Sequence, residues 1–200
     1  PPTANRSSSV VLVGTDPVRP NLAYDVQPAG DEAAWVVDAQ PDAEQAVEVA
    51  WDPAAVPDGQ FLWMARLDAR GRATPESFVN LRWQSGTTFA ESGQHGLFLS
   101  RRQTARVDIE PGWNLVSVPM APADPAPGNV FGESAGSRAW GWSGGDSRDA
   151  GYAPLDAVAA RTGCWIYSDS DTSILVTGDP HAATALALSA EWNLVGVPFP

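Results

Sequence analysis

The chain has 200 residues, 44% of them hydrophobic, with nine Trp, eighteen Gly, eighteen Pro and a formal net charge of −12. That is enough apolar material for one large core or two smaller ones, so wholesale disorder is excluded. The acidic balance argues against sequence-independent binding to nucleic acid or anionic lipid, which needs a basic face. No apolar run reaches the roughly 18 residues of a spanning helix, so membrane insertion is not expected.

All twelve basic residues are Arg. Without Lys, the chain has no P-loop phosphate contact, Schiff base, Ser-Lys dyad or Lys-Asn isopeptide cross-link. With abundant Ala, Gly, Pro and Asp, this bias fits a GC-rich bacterial coding sequence; an acidic halophile surface is the other reading. Cys164 is alone, so no intrachain disulfide can form. The opening Pro-Pro-Thr, with no Met and no signal-peptide pattern, reads as a piece of a longer protein.

So much Gly and Pro with only 18% charged residues predicts short strands joined by tight turns. Val10–Val13 is the first. Leu22, Tyr24 and Val26 alternate with Ala23, Asp25 and Gln27, the period of a half-buried strand. Ala34–Val37 follows. Val47, Val49 and Trp51 alternate with Glu48 and Ala50, which points Trp51 into a core. Asp52-Pro53 ends that strand and Val56-Pro57-Asp58-Gly59 supplies a turn. Gln60–Asp68 carries Phe61, Trp63, Ala65 and Leu67 on one face and Leu62 and Met64 on the other. Both its faces are partly apolar, which predicts a central strand or one packed against a neighbouring domain. Phe78–Trp83, Thr87–Phe89 and Gly96–Ser100 bring the set to roughly seven or eight strands with turns every 8–12 residues, the pattern of an immunoglobulin-like sandwich. That domain is expected over residues 1–105.

A second domain is expected over residues 106–200. Val107 and Ile109 lead into Pro111-Gly112 and Trp113-Asn114-Leu115-Val116-Ser117-Val118-Pro119. The run Trp192-Asn193-Leu194-Val195-Gly196-Val197-Pro198 repeats it with Gly in place of Ser. Each copy is a β-favouring run closed by Pro. Alternation puts Trp113, Leu115 and Ser117 on one face and Asn114, Val116 and Val118 on the other. The Ser/Gly difference predicts close backbone approach at that position, with the copies serving as equivalent strands of one domain. Between them, Ala121–Gly128 reads as an extended loop. Arg138–Ser143 is a strand with Trp140 and Trp142 on one face. Leu155–Ala160 reads as one or two helical turns ended by Gly163. Cys164–Ser168 and Ser173–Thr177 read as a hairpin around Asp169-Ser170-Asp171. The fold class expected is all-β, as two tandem β-sandwich-type domains.

The order Pro-Gly-Trp-Asn-Leu-Val-Ser-Val-Pro, then a Trp-bearing strand, then Gly163-Cys164-Trp165-Ile166-Tyr167, then Glu-Trp-Asn-Leu-Val-Gly-Val-Pro resembles the "GWNL" modules of large secreted or cell-surface bacterial proteins. Cys164 departs from that pattern, standing where Gly or Tyr is commoner. Val47-Glu48-Val49-Ala50-Trp51-Asp52 followed by Val56-Pro57-Asp58-Gly59 is similar to the immunoglobulin-like domains of such proteins. Together the resemblance spans about residues 45–200. It implies an extracellular or cell-surface setting, with other domains of the same parent protein as partners. It brings no catalytic residue set.

His95, His181 and Cys164 are the soft metal ligands and lack paired spacing, so they read as surface or turn histidines and a buried thiol. Calcium is the metal to consider, at the oxygen-rich pairs Asp146 and Asp149 or Asp169 and Asp171; Asp and Ser are equally ordinary turn residues. There is no G-x-S-x-G elbow, Ser92 near His95 has no evident acid partner, and the short connections do not build a hydrolase cleft. The chain is therefore not expected to be an enzyme. Trp51, Trp63, Trp113, Trp165 and Trp192 lie in strand patterns whose same face is otherwise apolar, and so read as core. Trp140 and Trp142, flanked by glycines, and Trp83, beside Arg82 and Gln84, are the exposed rings on which a glycan would stack. The expected function is a non-catalytic structural or adhesion module, with carbohydrate binding as the alternative.

Overall fold

Alternating β-branched and aromatic runs, broken by Pro and Gly, fold into antiparallel ladders. A computed structural model describes residues 9–13, 21–22, 32–41, 46–143, 151–180, 188 and 193–196. These are nearly all β, in several antiparallel sheets with only two short α-helices. The chain divides into two compact units, residues 1–101 and 102–200. No helix among the described residues is long and apolar enough to cross a membrane.

Unit 1 contains β1 (Ser9–Val13), β2 (Asn21–Leu22), β3 (Glu32–Gln40), β4 (Val47–Ala50), β5 (Phe61–Arg66), β6 (Val79–Asn80), β7 (Gly86–Phe89) and β8 (Gly93–Ser100). Six of these form one sheet in the order β2-β1-β3-β8-β5-β6, and β4 pairs with β7. Register sets Trp35 and Met64 on either side of Leu97, so all three share a face. On that side Ala39 and Met64 join a core with Leu81 and Phe89, backed by Val47, Val49 and Trp51. The packing is sandwich-like. On the opposite face Trp63 stacks on Phe98 at 4.2 Å and leans against Phe78 at 5.6 Å, which accounts for the two apolar faces of β5.

Two expectations for this unit are revised, and a third falls largely outside the described residues. The strand expected over Phe78–Trp83 stops at Asn80, because the Asn80 side chain accepts from Arg82 N at 3.0 Å and its carbonyl accepts from Gln84 N at 3.1 Å, curling the chain into a turn. His95 is neither a turn nor a surface residue; it is buried within β8 against the Phe89 ring at 4.4 Å. Of the strand expected at Leu22, Tyr24 and Val26, only Asn21–Leu22 falls within the described residues.

Unit 2 contains β9 (Gln103–Ile109), β10 (Gly112–Val116), β11 (Met120–Pro122), α1 (Pro127–Phe131), α2 (Glu133–Gly136), β12 (Ala139–Ser143), β13 (Gly151–Pro154), β14 (Cys164–Ser168) and β15 (Thr172–Pro180). One sheet runs β10-β14-β12-β13 and the other β11-β15-β9. Val116, Ala139, Cys164 and Ile166 from the first meet Ala105, Ile109, Met120 and Val176 from the second, and Val130, Phe131 and Ala135 of the helical segment join that core. Ile166, Val118 and Met120 are fully buried; removing each from water stabilises the fold by about 1.5–3 kcal/mol.

The repeated Asn has a local task. In the first copy Asn114 accepts from Glu110 N at 2.9 Å and donates to the Glu110 and Gly112 carbonyls at 2.8 and 3.0 Å. It thereby closes the turn in which Gly112 takes φ +100°, a conformation that favours glycine.

The expected hairpin of β14 and β15 does not exist. β14 pairs with β10 and β12, while β15 pairs with β9 and β11, so Asp169–Asp171 carry the chain from one sheet to the other. The reason is the core: Ile166 and Val176 belong to facing layers. Leu155–Ala160 forms no helical turn. Val158 N instead donates to Pro125 O at 2.8 Å, and Ala160 bridges Val118 in parallel. Ala121–Gly128 is not wholly a loop, since it holds the end of β11 and the start of α1.

Nor are the two motif copies equivalent strands. The first is a full strand with Trp113 and Leu115 exposed and Val116 buried. The described part of the second, residues 193–196, makes a single bridge between Val195 and Thr162, with Val195 exposed and Gly196 buried. Residues 193–196 nevertheless bond back to Arg161 and Gly163, so the described part of the second copy belongs to this unit.

Candidate functional site

In the β10-β14-β12-β13 sheet, strands β10, β14 and β12 send residues both to the core and outward, β13 has no buried residue, and the outward-facing set is mostly aromatic. On β14 the buried residues Cys164, Ile166 and Ser168 alternate with the half-buried Trp165 and Tyr167. Register then aligns the outward residues in rows across the strands. Trp113 lies opposite Tyr167; Leu115, Trp165, Trp140 and Pro154 form a second row; Trp142 faces Tyr152. Trp113 is 57% exposed, Tyr152 52% and Trp140 36%. Large rings left in water at this density make this face the candidate binding surface.

The rows enclose an open groove of about 910 Å³, lined by Trp113, Arg138, Trp140, Tyr152, Trp165, Tyr167 and Asp169. Neighbouring rings are not coplanar: Trp113 meets Tyr167 edge-on at 74° and Trp142 meets Tyr152 at 70°. Edge-to-face contacts of this kind hold each ring in place. The Trp165 indole N–H donates to Tyr152 Oη at 3.2 Å, which ties β14 to β13 over the intervening strand.

One end of the groove is polar. The Arg138 guanidinium lies 4.7 Å above the Tyr167 ring and donates to both Asp169 oxygens, at 3.2 and 2.6 Å. That contact holds the Asp169 carboxyl below its ordinary range and raises the guanidinium further. Asp169, expected as a calcium ligand, thus has both oxygens engaged by a cation. Asp171 is exposed beside it; Asp146 and Asp149 lie outside the described residues. Among the described residues no group of three or more His, Cys, Asp or Glu is placed to hold a metal ion.

No family model, no curated protein and no solved structure matches this chain. Its chemistry has to be read from the groove itself.

Of the expected glycan platforms, Trp140 and Trp142 both lie on the outward face, though Trp142 is half-buried, with its indole N–H unpartnered among the described residues. Trp83, 38% exposed, is in unit 1, in the turn after β6, and has no part in the groove. Two rings assigned to the core belong elsewhere: Trp113 and Trp165 line the groove. Trp51 and Trp63 are half-buried in unit 1, and Trp192 lies outside the described residues. Tyr152, Tyr167 and Arg138 were not anticipated. A signal for Tyr167 exists in the sequence: in Cys164-Trp165-Ile166-Tyr167 one face is small and aliphatic while the other is wholly aromatic with polar tips.

Proposed function

We propose that this chain is a non-catalytic, saccharide-binding accessory module of a secreted or surface-exposed protein. In this reading an immunoglobulin-like sandwich precedes the β domain that carries the binding face. The observation that carries the proposal is the groove: a sheet face presenting three rows rich in indole and phenol rings to solvent, with polar groups confined to its margin. Sugar rings expose a C–H face that stacks on indoles, and their hydroxyls need a few fixed hydrogen-bonding partners, so apolar lining with sparse polar groups suits them. Glycoside hydrolysis is disfavoured, because it requires two carboxyl groups flanking the bond and Asp169 is the one carboxylate among the described residues that line the groove, already paired with Arg138. The secreted setting rests on the resemblance of the repeated motif and its surroundings to modules of surface proteins.

The test is a tryptophan-fluorescence titration against a panel of soluble polysaccharides. A saturable change, lost in Trp113→Ala and Trp140→Ala, supports the proposal. A flat response across the panel with the fold intact sinks it.

One observation favours a second reading, a docking face for another domain of the same parent. Leu115 and Val195 are both more than half exposed in the same unit. Aliphatic side chains add little to sugar stacking but much to a protein interface.

A further inference from the structure

We infer that the ligand of this groove is a single, neutral pyranose chain of about three rings lying across the strands, and not a charged glycan or a crystalline polysaccharide surface. The inference rests on the saccharide-binding reading and narrows it through three independent features.

The first is shape. A crystalline polysaccharide is flat, and a protein that adheres to it needs its rings in one plane. Here adjacent rings are turned by 74° and 70° relative to one another. The most exposed rings, Trp113 and Tyr152, stand in the two outer rows, and Trp165 is half-buried in the row between them. A face of crossed rings admits one chain whose successive rings can rotate about their linkages. A flat sheet of laterally packed chains cannot lie against rings set at these angles.

The second is charge. Arg138 is the one cation among the described residues that line the groove, and Asp169 compensates it at 2.6 Å. A uronate or sulfate group would have to displace that carboxylate or lie beside it, on a chain that already carries a net charge of −12. Unlike charges are therefore satisfied within the protein, and a further anion is repelled. The same pair suits neutral sugars. A guanidinium beside a carboxylate presents N–H donors next to acceptor lone pairs, which is what two adjacent ring hydroxyls require.

The third is length. Three inter-strand spacings separate β10 from β13, so the face is roughly 14 Å across, room for about three pyranose rings in line. Stacking selects rings whose hydroxyls are equatorial, because these leave the C–H faces bare.

The experiment is calorimetric titration of the whole chain with a neutral β-1,4-linked gluco- or xylo-oligosaccharide series from mono- to hexasaccharide. Parallel arms use an oligogalacturonate of matched length and a pull-down on crystalline cellulose. Affinity is expected to climb to about the trisaccharide and then level off, with the oligogalacturonate weaker by about tenfold or more and no retention on the crystalline surface. Asp169→Asn, which uncovers the Arg138 charge, should weaken the neutral ligand and strengthen the anionic one. Retention on cellulose, tighter binding of the oligogalacturonate, or affinity independent of length overturns the inference while leaving saccharide binding standing. Silence in every arm, including the neutral series, overturns both. The unsubstituted protein decides the class without recourse to the variant.

Discussion

Gly196 sits against Ser117, so that the one internal difference between the two motif copies is the point where they touch. A Cβ on Gly196 would stand 2.5 Å from Ser117 Cβ and 3.1 Å from the Arg161 carbonyl carbon. Arg161 links the copies from below: its N–H donates to Val118 O at 2.7 Å and its carbonyl accepts from Gly196 N at 2.6 Å. To do both it adopts φ 61°, the only positive value among the described non-glycine residues, a conformation tolerated only where the surroundings enforce it.

Gly196→Ala should therefore destabilise unit 2 by about 1–3 kcal/mol through overpacking. Adding Ser117→Gly should recover part of the loss, since it removes the nearer obstacle but leaves the Arg161 backbone in place. Thermal melts of the two single variants and the double variant check this. Additive losses would mean that the two positions do not touch.

Exposed and buried members of the same sheet should separate cleanly. Trp113→Ala removes a ring that is 57% exposed and should change stability by no more than about 0.5 kcal/mol. Ile166→Ala empties a fully buried position and should cost about 2–5 kcal/mol. Urea denaturation compares them, and a large loss in Trp113→Ala would place that ring in the core after all.

Unit 1 should lose stability in mild acid. His95 is buried beside Phe89, and this burial lowers its pKa from 6.5; the Gly93 backbone contact and Asp38 oppose the shift, while Arg66 adds to it. A folded-state pKa below the unfolded value means that the unfolded chain takes up the proton first. Stability is then full above about pH 6.5 and falls as the pH drops through the folded-state pKa. Asp68, Asp108 and Asp169, all lowered from 3.8 by their Arg or Ser contacts, act separately and only at more acidic pH. A melting-temperature profile from pH 8 to 4 should show the first decline, and His95→Gln should flatten it.

Cys164 should be inert in the native protein. Burial pushes its thiol pKa up to about 11, leaving little thiolate at pH 8. A chromogenic disulfide reagent should detect no thiol until denaturant is added, and one thereafter. Rapid labelling of the folded chain would contradict its place in the core.

The all-β character, the strand positions near Val47, Phe61, Gly112 and Cys164, and the close approach at Gly196 were all legible in the sequence. Each depends on local rules: period-two alternation, Pro and Gly stops, and the space that a missing Cβ leaves. The turn after Asn80 and the missing helix at Leu155–Ala160 were not, because side-chain and backbone hydrogen bonds decide them. In the second case the partners, Pro125 and Val118, are distant in sequence.

The groove shows where local rules end. Alternation separates Trp113 and Leu115 from Val116 and Val118, and Trp165 and Tyr167 from Cys164 and Ile166, but both faces of these strands are apolar. Periodicity therefore defines two faces without saying which one meets water. Packing of the β11-β15-β9 sheet chooses the compact aliphatic face for the interior, where small branched side chains interdigitate at high density. The bulky, polar-tipped rings are left outside, in register, as a single surface. The sequence by itself determined the strands and their two faces; only the second sheet decided which face was left to solvent.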